Sequence, residues 1–375
     1  MAVSSTNIHV IIKLFLGGIN YLFCKFSLDL LKVDDQKRIG LMTLSNFMSL
    51  FLVGLPIYAN ELSTAKAASR KIGAAPYITS TWSDHGLAIL PGFLEFVAVF
   101  LSMYANSYLP ATIMVFMKAT RVLWSALMSK YWLGRKLYGY HWFGVLLTFI
   151  GLVPIIYVQQ ATGDKKKGTG DNKAVFAFIA VALCEVFRAI RVTLEERLMK
   201  ERNQSCAFVQ YVEGYAGVIL SIVLLVYRHC MDLEDSTRTL DIIAESKLGC
   251  LMLICHTIAH GVTNYSSNYV TKVLSSVHNA IISEMRIMVV WGPEFLIYLL
   301  TVNRLAKPLG KEWNILNLID IPGFIIIASS AFIYSGILRV PCMPSLYPKE
   351  VTESVKDIEN VETLTATCSE GSFSH

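Results

Sequence analysis

Ten apolar stretches of membrane-spanning length recur along this chain, at about residues 8–31, 41–59, 86–108, 110–133, 139–159, 174–199, 208–229, 248–271, 276–301 and 318–338. A helix needs about 20 apolar residues to cross a hydrocarbon core of about 30 Å, where no water can satisfy the backbone. The recurrence predicts an all-α integral membrane protein with ten transmembrane helices. Composition agrees: 54% of the 375 residues are hydrophobic and only 16% are charged, against about 25% in a soluble domain. A disordered chain, a fibre and a disulfide-stapled module are all excluded. The net charge of +5 is spread over short connections, so nucleic acid is not an expected partner. The lipid bilayer is. The first run follows a short polar start and is longer than a signal-peptide core, so it reads as the first span.

The connections suit membrane helices, with Asp34, Asp35, Lys37 and Arg38 after the first span, Gly163 to Lys173 after the fifth and Pro308 to Lys311 after the ninth. Beyond Pro341 the chain turns acidic and polar, and a disordered tail is expected. An even number of spans leaves both termini on one side. Loop Lys and Arg are nearly balanced between the two sides, so charge bias does not say which. Ten spans also divide into five and five, which sets expected boundaries at 1–160, 161–340 and a tail over 341–375. Lys118, Arg121 and Trp124 in the fourth span are echoed by Glu284, Arg286 and Trp291 in the ninth. Gly144 to Tyr157 in the fifth is echoed by Gly323 to Tyr334 in the tenth. Duplication of this kind marks secondary transporters, whose sites lie at the repeat interface; chance apolar similarity is the competing explanation.

Charges inside the spans carry the functional signal, because each costs at least about 2.5–3.5 kcal/mol at mid-membrane. Lys118 and Arg121 share a face of the fourth helix, with Trp124 continuing it. Glu284 and Arg286 lie about 200° apart around the ninth. Glu95, Glu213 and Glu294 stand in the third, seventh and ninth spans. The sixth carries Glu185, Arg188, Arg191, Glu195 and Glu196, spaced so that Glu185 can pair with Arg188 and Arg191 with Glu195. That stripe reads as internally neutralised. Lys118 and Arg286, basic groups on matching helices, read instead as facing a shared cavity, where they would bind an anionic group or pair with a titrating carboxylate.

His256 and His260 sit four apart, a spacing that serves helix packing, proton coupling or a metal pair; without Glu after the first His, the zinc-protease pattern is absent. Gly163 to Thr169 misses the phosphate-loop pattern because Thr169 replaces its lysine. No catalytic constellation, metal site or cofactor motif emerges, so an enzyme is not expected. Cys230 and Cys250 bracket one connection, either as a lumenal disulfide or as two unrelated thiols. Asn203 lies in an Asn-Gln-Ser sequon that reports sidedness through glycosylation. The sequence is silent on oligomeric state.

Residues 133–153, LGRKLYGYHWFGVLLTFIGLV, resemble the fourth-to-fifth helix junction of the drug/metabolite transporter superfamily. Gly18-Ile19-Asn20, Leu194-Glu195-Glu196, Glu213-Gly214 with Gly217, Asn264, Val270-Thr271-Lys272 and Arg286 with Trp291 narrow this to the F6-like branch of solute carrier family thirty-five, related to the chloroquine-resistance transporters. Lys118 stands where that branch has a basic residue and Glu95 where it has an acidic one. The resemblance covers about 8–338 and implies two inverted five-helix repeats with cytosolic termini, which places Asn203 in the cytosol and the Cys230–Cys250 connection in the lumen. Arg188, Arg191, His256 and His260 depart from the branch pattern. The Gly-Ala-Leu-Asn-Lys motif of nucleotide-sugar carriers is missing from the ninth helix, which reads SVHNAIISEMR over 276–286.

The expected function is secondary active transport of a small organic solute, such as an amino acid or peptide, across a lysosomal, endosomal or vacuolar membrane by alternating access. Lys118, Arg121, Arg286, Asn264 and Asn20 are the candidate substrate-binding residues, and Glu95, Glu213 and Glu284 the candidate proton-coupling or ion-pair carboxylates. A Golgi nucleotide-sugar antiporter, with the basic residues on phosphates, is the alternative. A non-transporting membrane interaction protein that docks through its tail is a third.

Overall fold

Each of the ten apolar stretches is helical. A computed structural model describes residues 2–31, 39–72, 81–109, 111–162, 171–234, 236–302 and 315–338. The helices are α1 (Ala2–Leu31), α2 (Ile39–Ile72), α3 (Trp82–Tyr108), α4 (Ala111–Tyr131), α5 (Gly139–Thr162), α6 (Asp171–Glu201), α7 (Cys206–Cys230), α8 (Ser236–Glu245), α9 (Lys247–Val273), α10 (Ser276–Thr301) and α11 (Asp320–Tyr334). A 3-10 turn at Ile315–Ile319 leads into the last, and no strand occurs among the described residues. Helix starts are set by side-chain caps. Thr81 and Asp84 form a reciprocal capping box at α3, and Ser205, Ser246 and Ser275 each accept from an amide three residues on. The tail, the Gly163–Thr169 segment and the Asp34–Arg38 connection lie outside the described residues.

Two features go beyond the sequence reading. α2 continues to Ile72, well past its apolar stretch. α8 fills what reads as a loop; it is short and amphipathic, and so invisible to a search for spanning length. It meets α9 at 105°.

By length and apolarity, five helices can cross a bilayer, over Ser5–Cys24, Ile39–Ser69, Trp82–Ala105, Gly139–Val158 and Cys206–Cys230, or six if α8 and α9 count as one bent span. α4, α6 and α10 fall short of that measure and carry Lys118, Arg121, Glu185, Arg188, Arg191, Glu284 and Arg286. The outer faces of α6 and α10 are nonetheless apolar, as is that of α9. Phe176, Ile179 and Leu183 of α6 and Leu296, Leu299 and Leu300 of α10 are exposed, as are Leu251, Ile254 and Ile258 of α9. Hydrocarbon outside and charge inside is the reverse of a soluble bundle. Trp82 opens α3 at 94% exposure, and Tyr131 and Trp132 close α4, the positions where aromatic rings settle at a membrane interface.

The largest packing interfaces pair α1 with α9, α2 with α7, α3 with α6 and α5 with α11. Smaller ones join α4 to α6, α10 and α5, α1 to α10, α3 to α7, α2 to α9 and α10 to α11. Matching α1–α5 in order with α6, α7, α9, α10 and α11 maps this pattern onto itself. The α1–α9 pair becomes α6–α3, α4–α6 becomes α10–α1, and α2–α7 returns to itself. Glycine sets the closest of these approaches. A Cβ on Gly54 of α2 would lie 2.9 Å from the backbone nitrogen of Tyr211, and one on Gly214 of α7 would collide with the Phe51 backbone. The two backbones therefore touch beside the interior charges.

Candidate functional site

α6 runs through the middle of the charged interior. Its own pairs form as their spacing predicts: Arg188 Nη1 lies 3.0 Å from Glu185 Oε1, and Arg191 pairs with Glu195. The stripe is not self-contained, however. Arg191 Nη1 lies 2.9 Å from Glu95 Oε2 on α3, and its Nη2 lies 3.4 Å from Glu213 Oε2 on α7. The same nitrogen donates to Asn264 Oδ1 on α9 at 3.5 Å. One guanidinium thus collects three carboxylates and an amide from four helices. Arg188 adds a longer contact to Glu95 at 3.8 Å.

A cavity of about 120 Å³ opens against this cluster. Glu95, Arg188, Arg191, His260 and Asn264 give it polar walls, and Phe47, Leu50 and Val99 give it apolar ones. His260 is fixed by a 2.6 Å hydrogen bond between its Nδ1 and Ser49 Oγ.

A second cluster lies on α1, α4 and α10. Arg121 Nη2 is 3.3 Å from Glu284 Oε1, and its Nε is 3.9 Å from Glu185, which links the two clusters. Lys118 and Arg286 have no carboxylate within ion-pair distance among the described residues. The charged groups around Lys118 are Arg188, Glu185, Arg286 and Glu284. Lys13 of α1 is 5% exposed and donates to the Asn279 carbonyl oxygen at 2.5 Å. Gly17 gives Arg286 its room, since a Cβ there would sit 3.2 Å from Arg286 Cδ.

Charge is therefore separated across the interior. Around α3, α6 and α7, the carboxylates Glu95, Glu185, Glu195 and Glu213 gather on Arg188 and Arg191, with Arg121 reaching Glu185 at 3.9 Å. Around α1, α4 and α10, the cations Lys13, Lys118, Arg121 and Arg286 gather about Glu284, with Glu185 at the edge beside Arg121 and Lys118. The two pools meet at Glu185.

The eight residues singled out from sequence fall into this frame unequally. Lys118 and Arg286, expected to face a shared cavity, are cations without a carboxylate partner among the described residues and do not line this cavity, while Arg121 and Glu284 pair with each other. Glu95 and Glu213 share Arg191, and Asn264 lines the cavity beside them. Asn20 is buried on α1, and its Oδ1 has no hydrogen-bond partner among the described residues. Arg188, Arg191, Glu185 and Glu195 were legible as a stripe but not as the centre of the site, and Lys13 was visible only as a lysine inside an apolar run. His256 hydrogen bonds Asn46 at 3.3 Å, so the two histidines have different partners on α2. Among the described residues no His, Cys, Asp or Glu group is arranged to hold a metal. Cys230 and Cys250 are separate thiols.

The sequence profile described as "Nucleotide-sugar transporter" matches residues 41–290, two thirds of the chain and every helix of the two clusters except α1. The chain belongs to the nucleotide-sugar transporter family. This makes it a multi-pass membrane transporter with a small-molecule substrate. Solute carrier family 35 member F6 of Rattus norvegicus is 20% identical over 264 residues, covering 68% of this chain and 67% of the relative. The Mus musculus and Homo sapiens proteins of that name are 21% identical with the same coverage. These relatives support placement of this family member in the F branch of solute carrier family 35. A solved crystal structure superposes with a TM-score of 0.55 at 16% identity, covering 89% of this chain and 97% of that one. At that identity it speaks for the fold alone.

Proposed function

We propose that this transporter is a ten-span secondary active carrier built from two inverted five-helix repeats, 1–160 and 161–340, with a cytosolic tail over 341–375. The self-mapping helix pairing supports the repeats, since two inverted copies would interlock in that way. Its cargo is a small solute with both an ammonium and a carboxylate group, an amino acid or short peptide, carried across a lysosomal, endosomal or vacuolar membrane by alternating access.

The separation of charge is the observation that carries this reading. A carboxylate on the cargo would answer Lys118, Arg286 and Lys13, three cations with no carboxylate within ion-pair distance among the described residues, which lie beyond the cavity wall in the neighbouring cluster. An ammonium, or a transported proton, finds the carboxylates crowded on Arg191. A substrate that answers both pools gains from charge-assisted hydrogen bonds at each end. The cavity of about 120 Å³ also suits a solute of that size; drug-sized ligands occupy about 300–1,000 Å³.

The second reading, exchange of a nucleotide sugar against a nucleoside monophosphate, is favoured by the family profile and by the same cations, which would hold phosphates. Proteoliposome uptake separates the two. Purified protein is offered labelled amino acids, short peptides and nucleotide sugars, either under an imposed pH gradient or with nucleoside monophosphate inside. Gradient-driven uptake of an amino acid or peptide is the expected result. Nucleotide-sugar uptake that needs only internal monophosphate would replace it with the second reading.

A further inference from the structure

α9 carries a line of polar groups out of the cavity, through Asn264, Asn268 and Lys272, each four residues from the last. Asn268 is 1% exposed, and among the described residues neither its Oδ1 nor its Nδ2 has a hydrogen-bond partner. An amide buried with both ends unsatisfied is costly, and such groups in native structures call for an explanation. Beyond it the line is closed. Lys272 Nζ donates to the Gln204 carbonyl oxygen at 2.9 Å, joining the end of α9 to the α6–α7 connection.

The rest of the closure centres on Glu196, whose carboxylate is fully buried near the end of α6. It accepts from Lys200 Nζ at 2.8 Å and from the Ser276 amide at the start of α10 at 3.0 Å, and it pairs with Arg135 from the α4–α5 connection. Lys200 also donates to the Leu274 carbonyl oxygen at 2.7 Å. Three connections are thus drawn together, about 12 Å along α9 from Asn264. The bonds cross between α6 and α9, the two helices that Arg191 and Asn264 also join at the cavity wall.

We propose that Glu196, Lys200, Lys272 and Arg135 form the closed gate on the side of the α6–α7 and α9–α10 connections, and that Asn268 lines the passage which opens when the gate parts. The inference rests on the alternating-access reading above. It accounts for the orphaned amide: a side chain wetted in the open state is satisfied there, and stays polar at a cost only while the gate is shut. Closure by hydrogen bonds to carbonyl oxygens and one carboxylate also suits a seal that must reopen. Water can replace each of those bonds, whereas a packed apolar plug would resist it.

The test uses Asn268→Cys in the full chain as a reporter. Purified protein is treated with a membrane-impermeant methanethiosulfonate, and modification is followed at residue 268 by mass spectrometry, so that native cysteines do not interfere. With the gate residues intact, labelling should be slow. Lys272→Gln or Lys200→Gln should speed it about tenfold, the change in open population expected when a charge-assisted hydrogen bond is lost. Both lysines are at the rim, so these variants keep the test independent of Glu196→Gln, which removes a buried charge. Unchanged labelling in the folded lysine variants, or rapid labelling with the gate intact, would overturn the proposal. The readout needs no substrate. Labelling that fails to respond while uptake proceeds sinks the gate alone, and absent uptake with responsive labelling sinks only the cargo reading.

Discussion

Arg191 Nη1 lies 2.9 Å from Glu95 Oε2, joining α6 to α3 at the wall of the cavity, while the other edge of the same guanidinium serves Glu213 on α7. Removing this group leaves Glu95, Glu195 and Glu213 without their shared counter-charge. Breaking a buried pair from one side costs about 3–5 kcal/mol. Arg191→Ala should therefore lower the unfolding midpoint sharply and abolish uptake. Arg191→Lys should recover some stability but little transport, because a single ammonium cannot span the planar fork that reaches three acids. Thermal unfolding and proteoliposome uptake on the same preparations check both.

Lys118 should behave in the opposite way. It holds no carboxylate in the described structure, so Lys118→Ala breaks no pair, and the unfolding midpoint should stay near that of the parent. Transport should be lost. Arg121→Ala, which strands Glu284, should instead lower both. Persistent uptake in Lys118→Ala would remove that lysine from the binding site.

If a proton is the coupling ion, the crowded carboxylates are where it binds. Glu213→Gln should then retain exchange of labelled for unlabelled substrate while failing to accumulate substrate against its gradient under a pH difference. Accumulation at the parental level would show that Glu213 serves only to hold Arg191.

That the apolar stretches are helical could be read from their length, because a bilayer asks for about 20 apolar residues per crossing; five or six of the helices meet that measure. The Glu185–Arg188 and Arg191–Glu195 pairs could be read too, being local to one helix. What could not be read is convergence. Whether Arg191 meets Glu95 and Glu213 depends on how α3, α6 and α7 are rotated about their axes, and apolar runs fix that rotation poorly. Lys13 was hidden for the same reason, and α8 because ten amphipathic residues do not stand out among spans. Gly214 was noticed as part of a family pattern, while its physical reason, contact with the Phe51 backbone, belongs to the α2–α7 pairing.

That contact gives a stability prediction with an internal control. Gly214→Ala forces α2 and α7 apart and should cost about 1–3 kcal/mol, as overpacking does. Gly86→Ala, where a Cβ would meet nothing within 4 Å, should be neutral or stabilising by up to about 1 kcal/mol. Equal midpoints for the two variants would contradict the close crossing.

The helix pairing also bears on how the molecule can be assembled. Every large interface joins a helix before residue 163 to one after 170, as α1–α9, α2–α7, α3–α6 and α5–α11 all do. The two halves are interleaved like the fingers of clasped hands, and neither encloses a core by itself. A gene cut within the segment that links them should still yield a working carrier when both pieces are made in the same cell, whereas either piece made alone should be degraded.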